Sequence, residues 1–461
     1  MTMSEPVYHE LCYQQQCYNK YFEGLPDQFL NLGVRFNIES EIDEEKMLEA
    51  VRLTVKRLPY MSARIHKRED GEQLLYFSDE EPTDIELLDM TDKTEEDVAQ
   101  LLYQYNTTPF PNGHFDTHLY RFRLLRLAGG QHTLYFCAHH IALDGYSMMY
   151  ATRYIFKVYL ALLNGTDLPE PGISPIPAIE KELEYFRSPR YQAELDWVDA
   201  QFKASEPHFT SIDGVASKQI VPGKNWGKAQ DLTQYGAVIL HRHIPLAFTD
   251  LLKEVSLEKN ISVQTFYQFG IRSFLAKVCE TDDVTIGAIA SRRSTIQQKN
   301  CGLLFAASMP CRTIVDPSLS FNDALRSFSN SLKEAYRHKF ISFTEGRAAA
   351  EKYYNLPKDC IYNTIWFGYQ AFEDIDKIPL KLNFEEISIG VASIPLYINF
   401  MPHDSTGDLY VEYQYAVNYI NPDNIERMHR FMIEFITKGL AQPDRTVKDL
   451  SDEILAGIDN K

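Results

Sequence analysis

Long apolar runs, a secretory-signal pattern and recognisable internal repetition are not found in this 461-residue sequence. Without a run of about 18 apolar residues, the chain is not predicted to contain a membrane-spanning helix. The first residues, MTMSEPVYHELCYQQQ, lack a basic segment followed by an apolar one. That pattern does not predict a secretory signal, so we expect a cytoplasmic protein.

Basic residues are in deficit, with 46 Lys and Arg against 64 Asp and Glu, which gives a formal net charge of -18. An acidic surface repels the phosphates of nucleic acids and anionic lipids. Nucleic acid is therefore not a predicted partner. The net charge does not exclude an anionic ligand held at a local basic patch.

Cysteine is sparse and unpaired, since none of the 7 cysteines forms a C-x-x-C pair. Most lie within apolar segments, which is typical of buried, reduced thiols. Metal sites need clustered ligands at characteristic spacings, and we find none in the sequence. No metal is predicted.

The chain does contain alternating strand and helix patterns. Its length exceeds what one hydrophobic core usually supports, so two domains are predicted. Four prolines between Leu168 and Ala178 interrupt the alternation, and prolines at this density predict a linker over about 168–178. The predicted domains are 1–178 and 179–461, two α/β halves of similar element order that suggest a pseudo-dimer. The aromatic content of 13% suits large cavities.

The segment TLYFCAHHIALDGYSMMY, residues 133–150, has a strand pattern that leads into a helix pattern. Side chains alternate along a strand, so His140 is expected on the apolar face that also holds Leu134, Phe136 and Ala138. His139 is expected on the opposite face, with Tyr135 and Cys137. His140 stands at the carboxyl end of the strand, where sites form in α/β folds.

Imidazole titrates near neutral pH, so His140 could accept a proton from an amine, hydroxyl or thiol. Asp144 and Gly145 follow, and Asp-Gly is also an ordinary turn and helix-capping pair. The residues alone leave both interpretations open. The complete strand–HHxxxDG–helix unit favours a functional site.

His139 to Gly145 matches the HHxxxDG motif of the chloramphenicol-acetyltransferase-like acyltransferase superfamily. The surrounding FRLLRLAGGQHTLYFCAHHIALDGYSM resembles the condensation domains of nonribosomal peptide synthetases. Weaker similarity extends along the chain through VKRLPYMSARI, DWVDAQF, DDVTIGAIASRRS, GLLFAASMPCR and YVEYQYAVNYINPDNIERM. Two positions depart from the family pattern: Ser62 replaces an arginine and Ala307 an asparagine.

The resemblance implies an α/β fold with two chloramphenicol-acetyltransferase-like sandwich subdomains, arranged as a V-shaped pseudo-dimer with the site at their junction. His140 would be the general base or positioner, and the Gly145 amide would bind the developing oxyanion. Asp144 would pair with an arginine, for which the candidates are Arg57, Arg64 and Arg293. His139 and Ser147 would support the site.

The implied reaction moves an acyl group from a carrier-protein phosphopantetheine or a coenzyme A thioester to an amine or hydroxyl acceptor, with no permanent cofactor. The alternative is a catalytically silent module that docks carrier proteins or partner enzymes. A hydrolase is disfavoured because no G-x-S-x-G motif is present. The second half has no HHxxxDG, so His241 and His243 are interpreted as structural. A free-standing enzyme and an excised synthetase module both fit the sequence.

Overall fold

The structure is a computed structural model, and it describes residues 6–23, 25–204, 210–214, 236–354, 364–370, 379–392, 394–403 and 408–460. Its strands are β1 (His9–Glu10), β2 (Asn31–Ile38), β3 (Ala63–Lys67), β4 (Gln73–Phe77), β5 (Ile85–Asp89), β6 (Tyr120–Arg126), β7 (His132–His139), β8 (Ala237–Ile244), β9 (Asp283–Ala290), β10 (Ala307–Ile314), β11 (Ile365–Tyr369), β12 (Leu382–Ile387), β13 (Leu396–His403) and β14 (Leu409–Ala416).

The helices flank these strands throughout, as expected for an α/β chain. They are α1 (Tyr13–Tyr21), α2 (Glu44–Arg57), α3 (Glu95–Thr107), α4 (Gly145–Asn164), α5 (Ile176–Phe186), α6 (Pro189–Lys203), α7 (Leu246–Lys259), α8 (Val263–Val278), α9 (Ile296–Asn300), α10 (Phe321–Arg337), α11 (Phe343–Tyr354), α12 (Pro422–Ala441) and α13 (Val447–Asp459). Among the residues described, no helix is long and apolar enough to cross a membrane.

Two large sheets organise the molecule. The first sheet has five strands in the order β12-β2-β7-β6-β5, and the second has six in the order β10-β9-β11-β13-β14-β8. We call each sheet with its helices a lobe. A small third sheet, β1-β4-β3, lies beside the first lobe. Each lobe has its own large apolar core.

Strand β12 belongs to the first sheet although it lies far along the second part of the chain. It pairs antiparallel with β2, from Leu382 opposite Ile38 to Ile387 opposite Gly33. Leu303 and Phe305 likewise pack in the core of the first lobe. The division of the chain at residue 178 stays a prediction, and β12, from beyond that point, completes the first sheet.

The linker is shorter than predicted at its carboxyl end, since α5 already begins at Ile176. Proline is tolerated in the first helical turn, where its missing N–H costs no bond, and Pro177 occupies such a position. Two helices, α5 and α6, follow the linker. Pro189 starts the second of them, after Ser188.

The strand–motif–helix unit forms as the sequence indicates. Leu134, Phe136 and Ala138 of β7 pack in the main core of the first lobe, whereas Tyr135 and Cys137 pack on the opposite face. Asp144 caps α4 by accepting a hydrogen bond from the Ser147 amide. The helix ends at Gly165, whose positive φ of 63° suits a residue without a side chain.

The described cysteines are Cys12, Cys17, Cys137, Cys279, Cys301 and Cys311, and all of them are free thiols. Most of them are buried. Cys360 lies outside the described residues.

Candidate active site

A cavity of about 470 Å³ lies between the lobes, with walls from both sheets. The first lobe contributes His140 and Gly145, and the second contributes Ser308, Gln370 and Tyr397. The lining includes many apolar side chains, among them Leu32, Val34, Met148, Met149, Phe384 and Ile387. The cavity therefore joins the HHxxxDG segment to a largely apolar space.

His140 lines this cavity with a half-buried ring, just beyond the end of β7. Its Nδ1 lies 3.0 Å from the carbonyl oxygen of Leu143. Because a carbonyl only accepts, Nδ1 carries the proton of the neutral ring and Nε2 presents a lone pair. The hydroxyl of Tyr18 lies 3.3 Å from that Nε2. Burial lowers the pKa of His140, and the nearby Asp144 carboxylate partly opposes this, so the ring is a neutral base at pH 7.

His139, in contrast, is fully buried and faces away from the cavity lining. Its Nδ1 accepts a hydrogen bond from the Ile141 amide at 3.2 Å, and its Nε2 lies 3.2 Å from Oδ1 of Asp27. Its ring stacks on His114 at 4.5 Å. Burial lowers the pKa of His139 to about 4. The ring therefore acts as a neutral donor that fixes the end of β7.

Asp27, His114 and His139 bring three possible metal ligands within 4.8 Å of one another. A metal bound at Nε2 of His139 would require the ring proton on Nδ1. That nitrogen already accepts the Ile141 N–H. The tautomer of His139 therefore opposes metal binding, and the cluster is better described as a half-buried carboxylate held by two histidines.

Asp144 forms a two-pronged ion pair with Arg293, at 2.7 Å from Nη1 to Oδ2 and 3.0 Å from Nη2 to Oδ1. Both side chains are 1% exposed. Burial raises the pKa of Asp144, but Arg293 and several hydrogen bonds hold it below the ordinary value. The carboxylate is thus ionised and unavailable for proton transfer.

Of the three arginine candidates, the structure selects Arg293. Arg57 donates instead to the Tyr154 hydroxyl at 2.9 Å and to the Pro169 carbonyl at 2.6 Å. Arg64 donates to the Ala63 carbonyl at 3.0 Å and does not line the cavity. The expectation that Arg64 supports the site is corrected accordingly. The reason is geometric, since β3 carries it into the small sheet.

The same carboxylate ties the motif to the second part of the chain. Asp144 accepts hydrogen bonds from the amides of Phe305 and Ala306 at 3.1 and 2.9 Å. The buried Ser147 hydroxyl lies 2.8 Å from Asp144 and 2.8 Å from the Leu303 carbonyl. These contacts lock the start of α4 against residues 303–306.

Gly145 opens α4 and lines the cavity. A Cβ atom here would lie 2.7 Å from Oε1 of Gln370, so only glycine fits without moving that side chain. Gln370 follows β11 and donates from Nε2 to Oδ1 of Asn399 at 3.1 Å. The second lobe therefore contacts the first helical residue of the motif.

Sequence reasoning missed Tyr18 and Gln370, which lie beside His140 and Gly145. Tyr18 stands on α1, in a segment rich in glutamine and tyrosine that carries no recognisable motif. Gln370 directly follows a short strand. A polar residue at the end of an apolar strand was the available signal, but nothing in the sequence indicates which strand end faces the motif.

Comparison with known proteins identifies the family. The family model of the Condensation domain matches residues 24–453. Surfactin synthase subunit 1 of Bacillus subtilis (strain 168) is 23% identical over 421 residues, which are 89% of this chain and 11% of that protein. Bacitracin synthase 3 of Bacillus licheniformis is 25% identical over 285 residues, which are 60% of this chain and 4% of that protein. The chain thus spans a small part of these relatives.

Solved structures agree in fold. The first condensation domain of the calcium-dependent antibiotic synthetase, solved with a substrate analogue, has a TM-score of 0.79 at 18% identity, over 96% of this chain and 98% of that one. VibH, described as a nonribosomal peptide synthetase condensation enzyme, has a TM-score of 0.76 at 17% identity, over 95% and 100%. A mutant starter condensation domain of rhizomide synthetase, in complex with C8-CoA, has a TM-score of 0.74 at 15% identity, over 96% of each chain.

The predicted two-lobed α/β fold is confirmed by these similarities. The predicted resemblance is confirmed as well, since the family model spans nearly the whole chain. The chain therefore belongs to the condensation-domain family.

Proposed function

We propose that this chain transfers an acyl group from a phosphopantetheine or coenzyme A thioester to an amine or hydroxyl, with His140 as the base. One observation carries the proposal. The Leu143 carbonyl fixes the proton of His140 on Nδ1, so the Nε2 lone pair is available in a cavity lined by both lobes. A neutral imidazole in that state accepts a proton from an attacking nucleophile.

In this reaction the acceptor attacks the thioester carbonyl while Nε2 of His140 takes its proton. The Gly145 amide, at the start of α4, donates to the oxyanion that develops on the carbonyl. The intermediate collapses, the carbon–sulfur bond breaks, and the proton passes to the leaving thiolate. Asp144, Arg293 and Ser147 hold the backbone of the motif and take no part in the bond changes.

The donor is either a carrier-protein phosphopantetheine or an acyl-CoA, used as a substrate without a permanent cofactor. The rhizomide starter domain, a protein of similar fold, was solved with C8-CoA. The apolar wall formed by Val34, Met148 and Phe384 suits the chain of such a donor. An expected cytoplasmic location would give access to both donor types.

The second candidate is a silent module that docks carrier proteins without turnover. Two departures from the family pattern favour it. Ser62 donates its hydroxyl to the Pro59 carbonyl at 2.9 Å, and Ala307 lines the cavity without offering a polar group. The intact contacts of His140 with Leu143 and of Asp144 with Arg293 favour the enzyme.

The test is acyl transfer from octanoyl-CoA and from an octanoyl pantetheine thioester to a panel of amines and alcohols, with products identified by mass spectrometry. We expect turnover by the wild type and a loss of roughly 10²–10⁴-fold in His140→Ala, the usual contribution of a general base. His243→Ala, at an exposed site on β8, is the matched control. Carrier-protein binding without any product from the wild type would support the silent module.

A further inference from the structure

One wall of the cavity carries a row of polar side chains on the second sheet. Tyr397 on β13 lies opposite Gln414 on β14, and Asn399 lies opposite Glu412. Tyr397, Asn399 and Gln414 all line the cavity. Since side chains alternate along a strand and cross-strand partners share a face, Glu412 points to the cavity side of the sheet.

Glu412 has an unusual environment for a carboxyl group. It is 2% exposed, and its Oε1 accepts the backbone N–H of Glu386 at 3.2 Å. Its Oε2 is buried and has no partner at ordinary hydrogen-bond geometry among the described residues, although the Glu386 carboxyl group is close enough to affect the pKa of Glu412. Glu386, on β12, is half-buried and lines the cavity. Two carboxyl groups from different sheets therefore meet at the cavity wall.

No basic side chain among the described residues forms an ion pair with Glu386 or Glu412. Arg35 approaches β12 from the other face, where it pairs with Glu385 at 2.5 Å and Glu95 at 2.6 Å. Burial raises the pKa of both carboxyl groups, and the charge of Glu386 raises that of Glu412 further. Two neighbouring carboxyl groups, one of them buried, are costly to ionise without a cation, and a bound cation would relieve that cost.

We infer that Glu386 and Glu412 bind a second, positively charged amino group of the acceptor. The inference rests on the proposed function, and it defines the acceptor as a diamine or another amine with a cationic group. A primary ammonium has three N–H donors, which suit the two carboxylates and an oxygen of Asn399 or Tyr397. Gly145, Asn399 and Glu386 line the same cavity, so one acceptor molecule could contact both the start of α4 and the carboxyl pair.

The first test compares linear diaminoalkanes with alkylamines in which a methyl group replaces the second amine, using octanoyl-CoA as donor. We expect kcat/KM for the best diamine to exceed that for the matching alkylamine by about tenfold or more, because a site that binds a polar group discriminates against a ligand that lacks it. Glu412→Gln and Glu386→Gln should remove this preference, so that the ratio of kcat/KM for diamine and alkylamine falls to about one. Equal use of both acceptors by the wild type would overturn the inference.

Glu385→Gln is the matched control, because it removes the same charge from the next residue of β12, on the face that meets Arg35. It should keep the preference for the diamine. Circular dichroism melting checks that each variant is folded. If Glu412→Gln does not fold, the half-buried Glu386→Gln decides the outcome alone.

Calorimetric titration of the wild type with the same diamine and alkylamine, without donor, separates this inference from the proposed function. One outcome is that the wild type binds the diamine, that Glu386→Gln weakens this binding by about tenfold or more, and that no acyl transfer occurs. This outcome would support the cation site and contradict the proposed transferase activity. The opposite outcome is acyl transfer in which diamine and alkylamine do not differ in binding or rate. It would support the transferase activity and contradict the cation site.

Discussion

The phenol oxygen of Tyr18 lies 3.3 Å from Nε2 of His140, and the two rings meet edge to face at 5.0 Å. The hydroxyl therefore donates to the lone pair that the proposed reaction would use, and under that proposal an acceptor replaces it. A donor to the unprotonated nitrogen favours the neutral ring. Burial acts in the same direction and lowers the pKa of His140.

We predict that kcat/KM rises with pH through a midpoint below about 6.5, the ordinary histidine value, and is flat at pH 7. Tyr18→Phe removes the donor but keeps the ring, so the midpoint should move upward. The measurement is the pH dependence of kcat/KM with a non-titrating alcohol acceptor. An unchanged midpoint in Tyr18→Phe would show that the hydroxyl does not act on His140.

Asp144→Asn should destabilise the protein strongly, because it leaves Arg293 as a buried, unpaired cation. Breaking such a pair typically costs about 3–5 kcal/mol in the free energy of unfolding. Urea unfolding of the variant and the wild type measures the difference. Asp283→Asn is the control, since its pair with Arg312 has side-chain exposures of 20% and 11% and should cost less. Equal losses in the two variants would contradict this interpretation.

Gly145→Ala should lower kcat/KM by about tenfold or more, since its Cβ would come 2.7 Å from Oε1 of Gln370 and displace groups beside the reacting carbonyl. The double variant Gly145→Ala, Gln370→Ala removes the clash and should recover part of the activity. A double-mutant cycle of kcat/KM measures this coupling. Additive losses would show that Gly145 and Gln370 act independently.

The buried His139 predicts loss of stability in mild acid. Its pKa is about 4 in the folded protein and about 6.5 in an unfolded chain. Between these values the unfolded state binds more protons, so the free energy of unfolding falls as pH drops from 6.5 to 4, by up to about 3 kcal/mol. His139→Gln keeps a donor for Asp27 but cannot titrate. Its denaturant midpoint should therefore vary less with pH than that of the wild type.

The sequence predicts the elements around the motif well because their signals are local. Short stretches of sequence specify the alternating apolar residues of β7, the helix cap at Asp144 and the helix end at Gly165. The strand pattern was less reliable at its end. The prediction placed His140 on the apolar face of the strand, but β7 ends at His139, which is the more deeply buried ring.

The rest of the site depends on contacts between distant segments, which local patterns do not encode. Arg57, Arg64 and Arg293 are equivalent candidates until the second sheet brings residue 293 onto Asp144. Glu386 and Glu412 lie on β12 and β14. The alternation of apolar residues does not show which strands pair, and β12 joins a sheet formed mostly by the first part of the chain.

The pairing of β12 with β2 has a mechanical consequence. Six consecutive residue pairs fasten the first lobe to a segment that the second part of the chain must supply. A fragment that stops at residue 178 would leave the edge of β2 bare, and unpaired strand edges recruit other chains. The two halves are thus expected to fold only together, because the first sheet is complete only when residues 382–387 are present.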